Sequence, residues 1–148
     1  MAAGQRRRAR IAALHALYEA DTSAHLPRES LLRILAEKPI AQASADFARD
    51  LVEGVLAQRD EIDRTIADAA PAWPVDQLPA IDRNILRLAI REMLGDNGTP
   101  VSAAINEAVE LAKSFGSEKS ASFVNGVLGT IARQQNKTQS NQPTKGRG

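Results

Sequence analysis

The chain has 148 residues, with 19 lysines and arginines against 18 aspartates and glutamates and no cysteine. This length fits one compact domain that buries roughly two thirds of its unfolded surface, and the lack of cysteine excludes disulfides and thiolate metal sites. No stretch approaches the ~20 apolar residues of a membrane span, and no secretory signal opens the chain. We therefore expect one domain in the cytoplasm.

The net charge of +1 conceals an uneven distribution. Four arginines and no acid lie in residues 1–10, and three basic residues and no acid lie in 136–148, which leaves 12 basic and 18 acidic residues between them. Because an acidic body repels phosphate, nucleic-acid binding would depend on the N-terminal run and a few placed side chains. The run also resembles an organelle transit peptide, but Glu19 and Asp21 follow it closely.

Apolar residues recur at helical spacing along most of the chain, and no segment alternates with the period of two that is typical of strands. In the first half, proline marks the boundaries of the helices. The pattern predicts a helix over about 5–22, a short helix from Pro27 that ends before Pro39, a third helix over 42–58 and a fourth that stops before Pro71.

Proline and glycine also mark the boundaries of the second half. They predict one helix from Pro79 to Gly95 and another from Pro100 to Gly116. Gly116 is expected to be the left-handed residue that commonly closes a helix, and Ser117 is expected to cap the last helix.

The predicted fold class is all-α, with two small helical sub-bundles at about 5–70 and 75–135 that share one core. They form a single domain over residues 1–135. Residues 136–148 contain no large apolar residue to bury, so this segment is expected to be a disordered polar tail.

The corner between the last two helices gathers basic and aromatic side chains. Unpaired bases can stack on exposed rings while nearby cations bind phosphate. The competing interpretation is that both rings belong to the core, which the pattern favours for Phe115 and leaves equally weighted for Phe123. The candidate RNA-binding residues here are Lys113, Phe115, Lys119, Phe123 and Asn125.

The arginines that open the first helix are the second candidate element. A guanidinium group can form paired hydrogen bonds with phosphate or stack on a base, which favours RNA contact by a flexible or partly helical arm. The alternative is a solvated N-terminus without a ligand. The residues are Arg6, Arg7, Arg8 and Arg10.

No catalytic, cofactor or metal site is indicated. No pair of carboxylates is flanked by substrate-binding groups, and His15 and His25 have no partner at metal-ligand spacing. Phosphate loops and nucleophile elbows are absent from the sequence. Trp73, between two prolines, is interpreted as a cover over the junction of the two halves, or as an interface residue if it is exposed.

The chain resembles the NusB family of bacterial transcription antitermination factors over residues of about 5–132. The resemblance is carried by RRRAR, ALY at 16–18, FARDLVEGV at 47–55, LPAIDRNILRLAIREM at 78–93 and AAINEAVELAKSFGSEKSASFVNGVL. The last of these segments is the most specific.

The resemblance implies an all-helical fold of two sub-bundles and a function without catalysis. Members of this family pair with a small-subunit ribosomal protein, NusE, and bind the boxA element of nascent ribosomal RNA in a termination-resistant RNA polymerase complex. Carried over by position, the nine basic, aromatic and amide residues above would face RNA. The partner side would include Tyr18, Glu19 and Asp82.

One position departs from the family pattern, because some relatives have an acidic residue where Lys119 stands. This departure suggests tighter RNA binding or less dependence on the partner.

Two other function classes remain: a module attached to a ribosomal RNA methyltransferase, which the length disfavours, and a helical scaffold that binds only protein. The oligomeric state, monomer or homodimer, is left open.

Overall fold

The computed structural model describes residues 3–95 and 98–141, with side chains for 4–95 and 98–137. These residues form seven α-helices and one 3-10 helix at Val75–Gln77, and they contain no strand, which confirms the all-α prediction. The helices are α1 Ala3–Thr22, α2 Pro27–Glu37, α3 Gln42–Ala57, α4 Arg59–Ala69, α5 Ala80–Leu94, α6 Val101–Phe115 and α7 Ser120–Asn141.

Three helices begin at a proline or directly after one, as the sequence predicts. Pro27 is the first residue of α2, while Pro79 and Pro100 directly precede α5 and α6. A proline at these positions removes no hydrogen bond from the helix, because the first amides of a helix have no partner within the helix.

Helix α5 lies at the centre of the molecule. Ten of its 15 residues are buried, and it packs against α1, α3, α4, α6 and α7. Leu14 of α1, Leu51 of α3, Ile85 of α5 and Leu128 of α7 belong to one buried apolar cluster. Helices from both sides of residues 71–78 therefore contribute to the same core.

Polar groups also tie α5 to its neighbours. Asp21, near the end of α1, accepts hydrogen bonds from Arg83 at 2.8 Å and from Asn84 at 2.9 Å. Arg87 forms two hydrogen bonds with Asp63 of α4, at 2.8 and 2.9 Å. These bonds fix the orientation of α1 and α4 against α5 because each donor is itself largely buried.

Several local predictions need correction. Gly116 has φ −93° and ψ −172°, which is extended rather than left-handed. Helix α7 begins at Ser120, so Ser117 does not cap it. Trp73 is 61% exposed, so it does not cover the junction of the two halves.

The C-terminal boundary also differs from the prediction. Helix α7 continues through the first six residues of the expected polar tail and ends at Asn141. A helix that is already nucleated gains one backbone hydrogen bond for each added residue, so α7 can continue beyond its core-facing residues. Residues 142–148 of the tail lie outside the described residues.

Candidate nucleic-acid interface

The N-terminal arginines are part of α1, and their neighbours differ. Arg6 donates to Thr99 Oγ1 at 3.0 Å, and its guanidinium lies 5.0 Å from the ring centre of Phe47. Arg7 donates to both carboxylate oxygens of Glu107 at 3.0 and 3.1 Å but remains half exposed. An exposed ion pair of this kind contributes little to stability, so phosphate can replace the carboxylate at Arg7.

Arg10 does not belong to the exposed cationic surface that the sequence predicts. It is 4% exposed and forms two hydrogen bonds with Glu92 of α5, at 2.8 and 2.5 Å. The guanidinium also lies 5.5 Å from the ring centre of Phe47. Because position 10 precedes Ala13 and Leu14 by three and four residues, it lies on the buried stripe of α1.

The two phenylalanines of the corner differ in a way the sequence did not predict. Phe115, for which the sequence favours core packing, is 38% exposed, and its ring meets His15 edge-on at 5.1 Å between centroids. Phe123 is half-buried and packs against the core cluster. Phe115 therefore presents the more accessible ring.

The polar candidates at the corner are exposed. Lys119 and Asn125 face solvent, and Lys113 also does so while lying 3.3 Å from Glu110. This ion pair is weak because both side chains are at least half exposed. These side chains remain available to a ligand.

A network of short polar contacts fixes the corner itself. Ser120 Oγ accepts a hydrogen bond from the Ser117 amide at 2.9 Å and donates one to Asp82 of α5 at 2.6 Å. A Cβ on Gly116 would lie 2.5 Å from Ser120 Cβ and 2.8 Å from the carbonyl oxygen of Ala112. Glycine is therefore required here by close approach and not by a left-handed backbone.

The expected partner-binding residues do not form a uniform exposed set. Tyr18 is exposed, and Glu19 is partly exposed and paired with Arg33. Asp82 is 5% exposed, and its carboxylate accepts a hydrogen bond from Ser120. This burial corrects the expectation that Asp82 contacts a partner at the surface. Its position three and four residues before Ile85 and Leu86 places it on the buried face of α5.

Side-chain contacts place the start of α1 and the corner on the same side of the molecule. Arg7 meets Glu107 and, eight residues further along each helix, His15 meets Phe115. The two helices thus run in parallel with matching register, and the two contacts lie about 12 Å apart at 1.5 Å per residue. Arg7 and Phe115 therefore lie on the same side of the molecule.

Sequence reasoning missed three residues on this side of the molecule. His15 has no metal-ligand spacing that would single it out in the sequence, yet its ring contacts the exposed ring of Phe115. Its place seven residues after Arg8, about two helical turns, could have indicated that it shares the face of the arginines. Glu107 and Thr99 hold Arg7 and Arg6. These contacts across nearly 100 residues leave no local signal in the sequence.

The residues that the structure describes show neither a metal centre nor a membrane span. The described residues contain no group of three or more histidines, aspartates or glutamates that could hold a metal ion. Among the same residues, no helix has the length and apolar character that crossing a bilayer requires.

Comparison with known proteins gives consistent matches. The chain is 51% identical to the transcription antitermination protein NusB of Chloroflexus aggregans over 131 residues, which are 87% of each chain. A solved structure of NusB from T. maritima superposes with a TM-score of 0.81 at 33% identity, covering 90% of this chain and 96% of the other.

A further match is a chain in a crystal structure of the antitermination factors NusB and NusE in complex with dsRNA. Its TM-score is 0.82 at 29% identity, covering 90% of this chain and 99% of the other. The family model described as the NusB family matches residues 7–133, which is most of the sequence. On this match and on the identity of its relatives, the chain belongs to the NusB family.

Proposed function

We propose that the protein is a transcription antitermination factor that binds the boxA element of nascent ribosomal RNA together with the small-subunit ribosomal protein NusE. The pair would help to assemble a termination-resistant RNA polymerase complex in the cytoplasm. Its relatives are named for antitermination, and a structural neighbour was solved with NusE and dsRNA, which supports this function.

The observation that carries the proposal is the exposed Phe115 ring on the same side of the molecule as the half-exposed guanidinium of Arg7. An accessible ring can stack an unpaired base, and guanidinium groups beside it can bind the adjoining phosphates. Lys113, Lys119 and Asn125 add charge and hydrogen-bonding groups at the corner. Arg8 continues the cationic side of α1, while buried Arg10 supports the fold of this region instead of touching RNA.

The partner surface in this proposal begins at Tyr18 and Glu19. Tyrosine combines a large apolar ring with a hydroxyl group, which suits protein interfaces. Asp82 contributes indirectly, because its bond to Ser120 holds the corner in place. Phe123 is half-buried and would present only part of its ring to a base.

The test measures binding of a short boxA-like RNA by fluorescence anisotropy at several salt concentrations, with and without the ribosomal protein. We expect tighter RNA binding when the partner is present and weaker binding as salt rises. A scrambled RNA of equal length is the control. No gain on adding the partner would count against joint recognition.

A pair of substitutions separates RNA binding from a purely structural role of the rings. Phe115→Ala should lower RNA affinity by roughly 1–3 kcal/mol through lost stacking, with little change in stability because the ring is partly exposed. Phe123→Ala should mainly destabilise the fold. RNA affinity that survives both changes in the folded protein would favour a scaffold that binds only protein.

A further inference from the structure

A groove between α1 and α2 lies beside the proposed interface and shares Arg8 with it. Its volume is about 340 Å³, within the size range of small-ligand sites. Five apolar or small residues form most of its lining: Ile11, Ala12, Ile34, Pro39 and Ile40.

Two cations border this groove. Arg8 of α1 and Lys38, directly after α2, both line it and are exposed. In the described part of the chain neither residue has an ion pair, whereas Arg7 and Arg10 are each paired with a glutamate. Two uncompensated positive charges beside an apolar floor are complementary to a ligand that combines anionic groups with a flat apolar body.

The acidic residues near the groove do not cancel these charges. Glu19 and Glu37 line an adjoining cavity of about 400 Å³, at the side of α1 that carries Tyr18. Both carboxylates pair with Arg33. The positive character of the groove is therefore retained at Arg8 and Lys38.

His15 connects the groove to the corner between α6 and α7. It lines both cavities, and its ring touches Phe115 edge-on. Partial burial, and then the charge of Lys38, hold the pKa of His15 below its ordinary value. At neutral pH the imidazole is thus uncharged and offers one donor, one acceptor and a flat ring to a base.

We propose that the groove between α1 and α2 binds one nucleotide of the single-stranded RNA, as an extension of the proposed function on which it rests. The base lies on the apolar floor against His15, and the adjoining phosphates contact Arg8 and Lys38. The strand then crosses α1 from Phe115 towards α2. An RNA strand fits better than an acidic peptide because the site combines an apolar floor and the imidazole ring of His15 with two separate cations.

The first experiment compares Lys38→Gln with Arg64→Gln in RNA titrations at several salt concentrations. Arg64 is a matched control, since it is an exposed cation that has no ion pair among the described residues, and it lies on α4, which packs against α5 and α7. Lys38→Gln should weaken binding about threefold to tenfold near 0.1 M salt and reduce the logarithmic salt slope by about 0.7. Arg64→Gln should change affinity less than twofold, and equal effects of the two variants would overturn the proposal.

The second experiment tests whether a base binds against His15. A single abasic nucleotide is moved along the RNA, and each strand is titrated with the wild-type protein and with His15→Ala. One position should show coupling, because removing the base and removing the imidazole abolish the same contact. Losses that add at every position would exclude a base against His15.

The outcomes of these experiments also distinguish a failure of the groove proposal from a failure of the proposed function. RNA binding by the wild type that Lys38→Gln and His15→Ala leave unchanged would overturn only the groove. No RNA binding by the wild type, with or without the ribosomal protein, would overturn both proposals. A loss of affinity for the ribosomal protein alone in Lys38→Gln would assign the groove to protein binding and reject a nucleotide there.

Discussion

At the scale of single residues, the structure separates arginines that the sequence presents as one group. Arg7 and Arg8 face solvent, Arg6 lies against Thr99 and Phe47, and Arg10 is buried with Glu92. The difference arises from helical phase, because successive residues of α1 point in directions about 100° apart. A cationic run on a helix therefore cannot contribute all of its charges to one surface.

Arg10→Ala should destabilise the protein by about 3–5 kcal/mol, because the buried carboxylate of Glu92 would lose the guanidinium of Arg10. Arg7→Ala, the control, should cost less than about 1 kcal/mol because its ion pair is exposed. Urea unfolding at neutral pH measures both free energies. Similar costs for the two variants would show that the Arg10 pair is less buried than the structure indicates.

Lys119→Asp should weaken RNA binding by roughly tenfold near 0.1 M salt, because it replaces an attractive charge at the corner by a repulsive one. The RNA affinity of Lys119→Gln should lie between that of Lys119→Asp and that of the wild type. Anisotropy titrations at fixed salt provide the measurement. RNA affinity that is the same in all three proteins would remove Lys119 from the interface.

At the scale of helices, the corner between α6 and α7 depends on close approach. Gly116 leaves room for Ser120, which in turn bonds to Asp82 at the start of α5. A single hydroxyl thus connects the corner to the central helix. The exposed ring of Phe115 is held in place by this connection at one end of α6 and by His15 of α1.

Gly116→Ala should destabilise the protein by about 1–3 kcal/mol, because its Cβ would overlap Ser120 and a backbone carbonyl. RNA affinity should fall as well, since the clash moves the corner. Gly126→Ala is the matched control, as a Cβ there meets nothing within 4 Å. Thermal unfolding and RNA titration of both variants test the prediction, which a stable and fully active Gly116→Ala protein would contradict.

At the scale of the whole molecule, a polar cluster joins α1, α4 and α5 around Asp21. Burial by itself would raise the pKa of Asp21, but hydrogen bonds from Arg83 and Asn84 and the charges of Arg83 and Arg87 outweigh it. The pKa of Asp21 is therefore below its ordinary value. Its contribution to stability is present above the unfolded-state pKa of about 4 and is lost as pH falls through the folded-state pKa.

Asp21→Asn should lower the free energy of unfolding at pH 7 by about 1–3 kcal/mol, because Arg83 and Arg87 lose a carboxylate. The difference from the wild type should shrink as the pH falls below about 4, where the wild-type carboxylate also becomes protonated. Urea unfolding at a series of pH values measures this. A difference independent of pH would mean that packing, and not charge, accounts for the loss.

Local sequence patterns were sufficient to predict the helices and to single out the candidate corner. Apolar spacing and prolines predicted the all-α class and the starts of α2, α5 and α6, because both signals are local to the chain. Helical phase could also have predicted that Arg10 and Asp82 are buried, since both lie three and four residues before buried apolar positions.

Which candidate residues lie on the same side of the molecule depends on contacts between distant helices. The contacts of Arg7 with Glu107, His15 with Phe115 and Asp82 with Ser120 join positions 100, 100 and 38 residues apart. Their geometry depends on how α1, α5 and α6 pack, which no local pattern encodes. The groove between α1 and α2 arises for the same reason, because its cations come from separate parts of the chain that the packed core brings together.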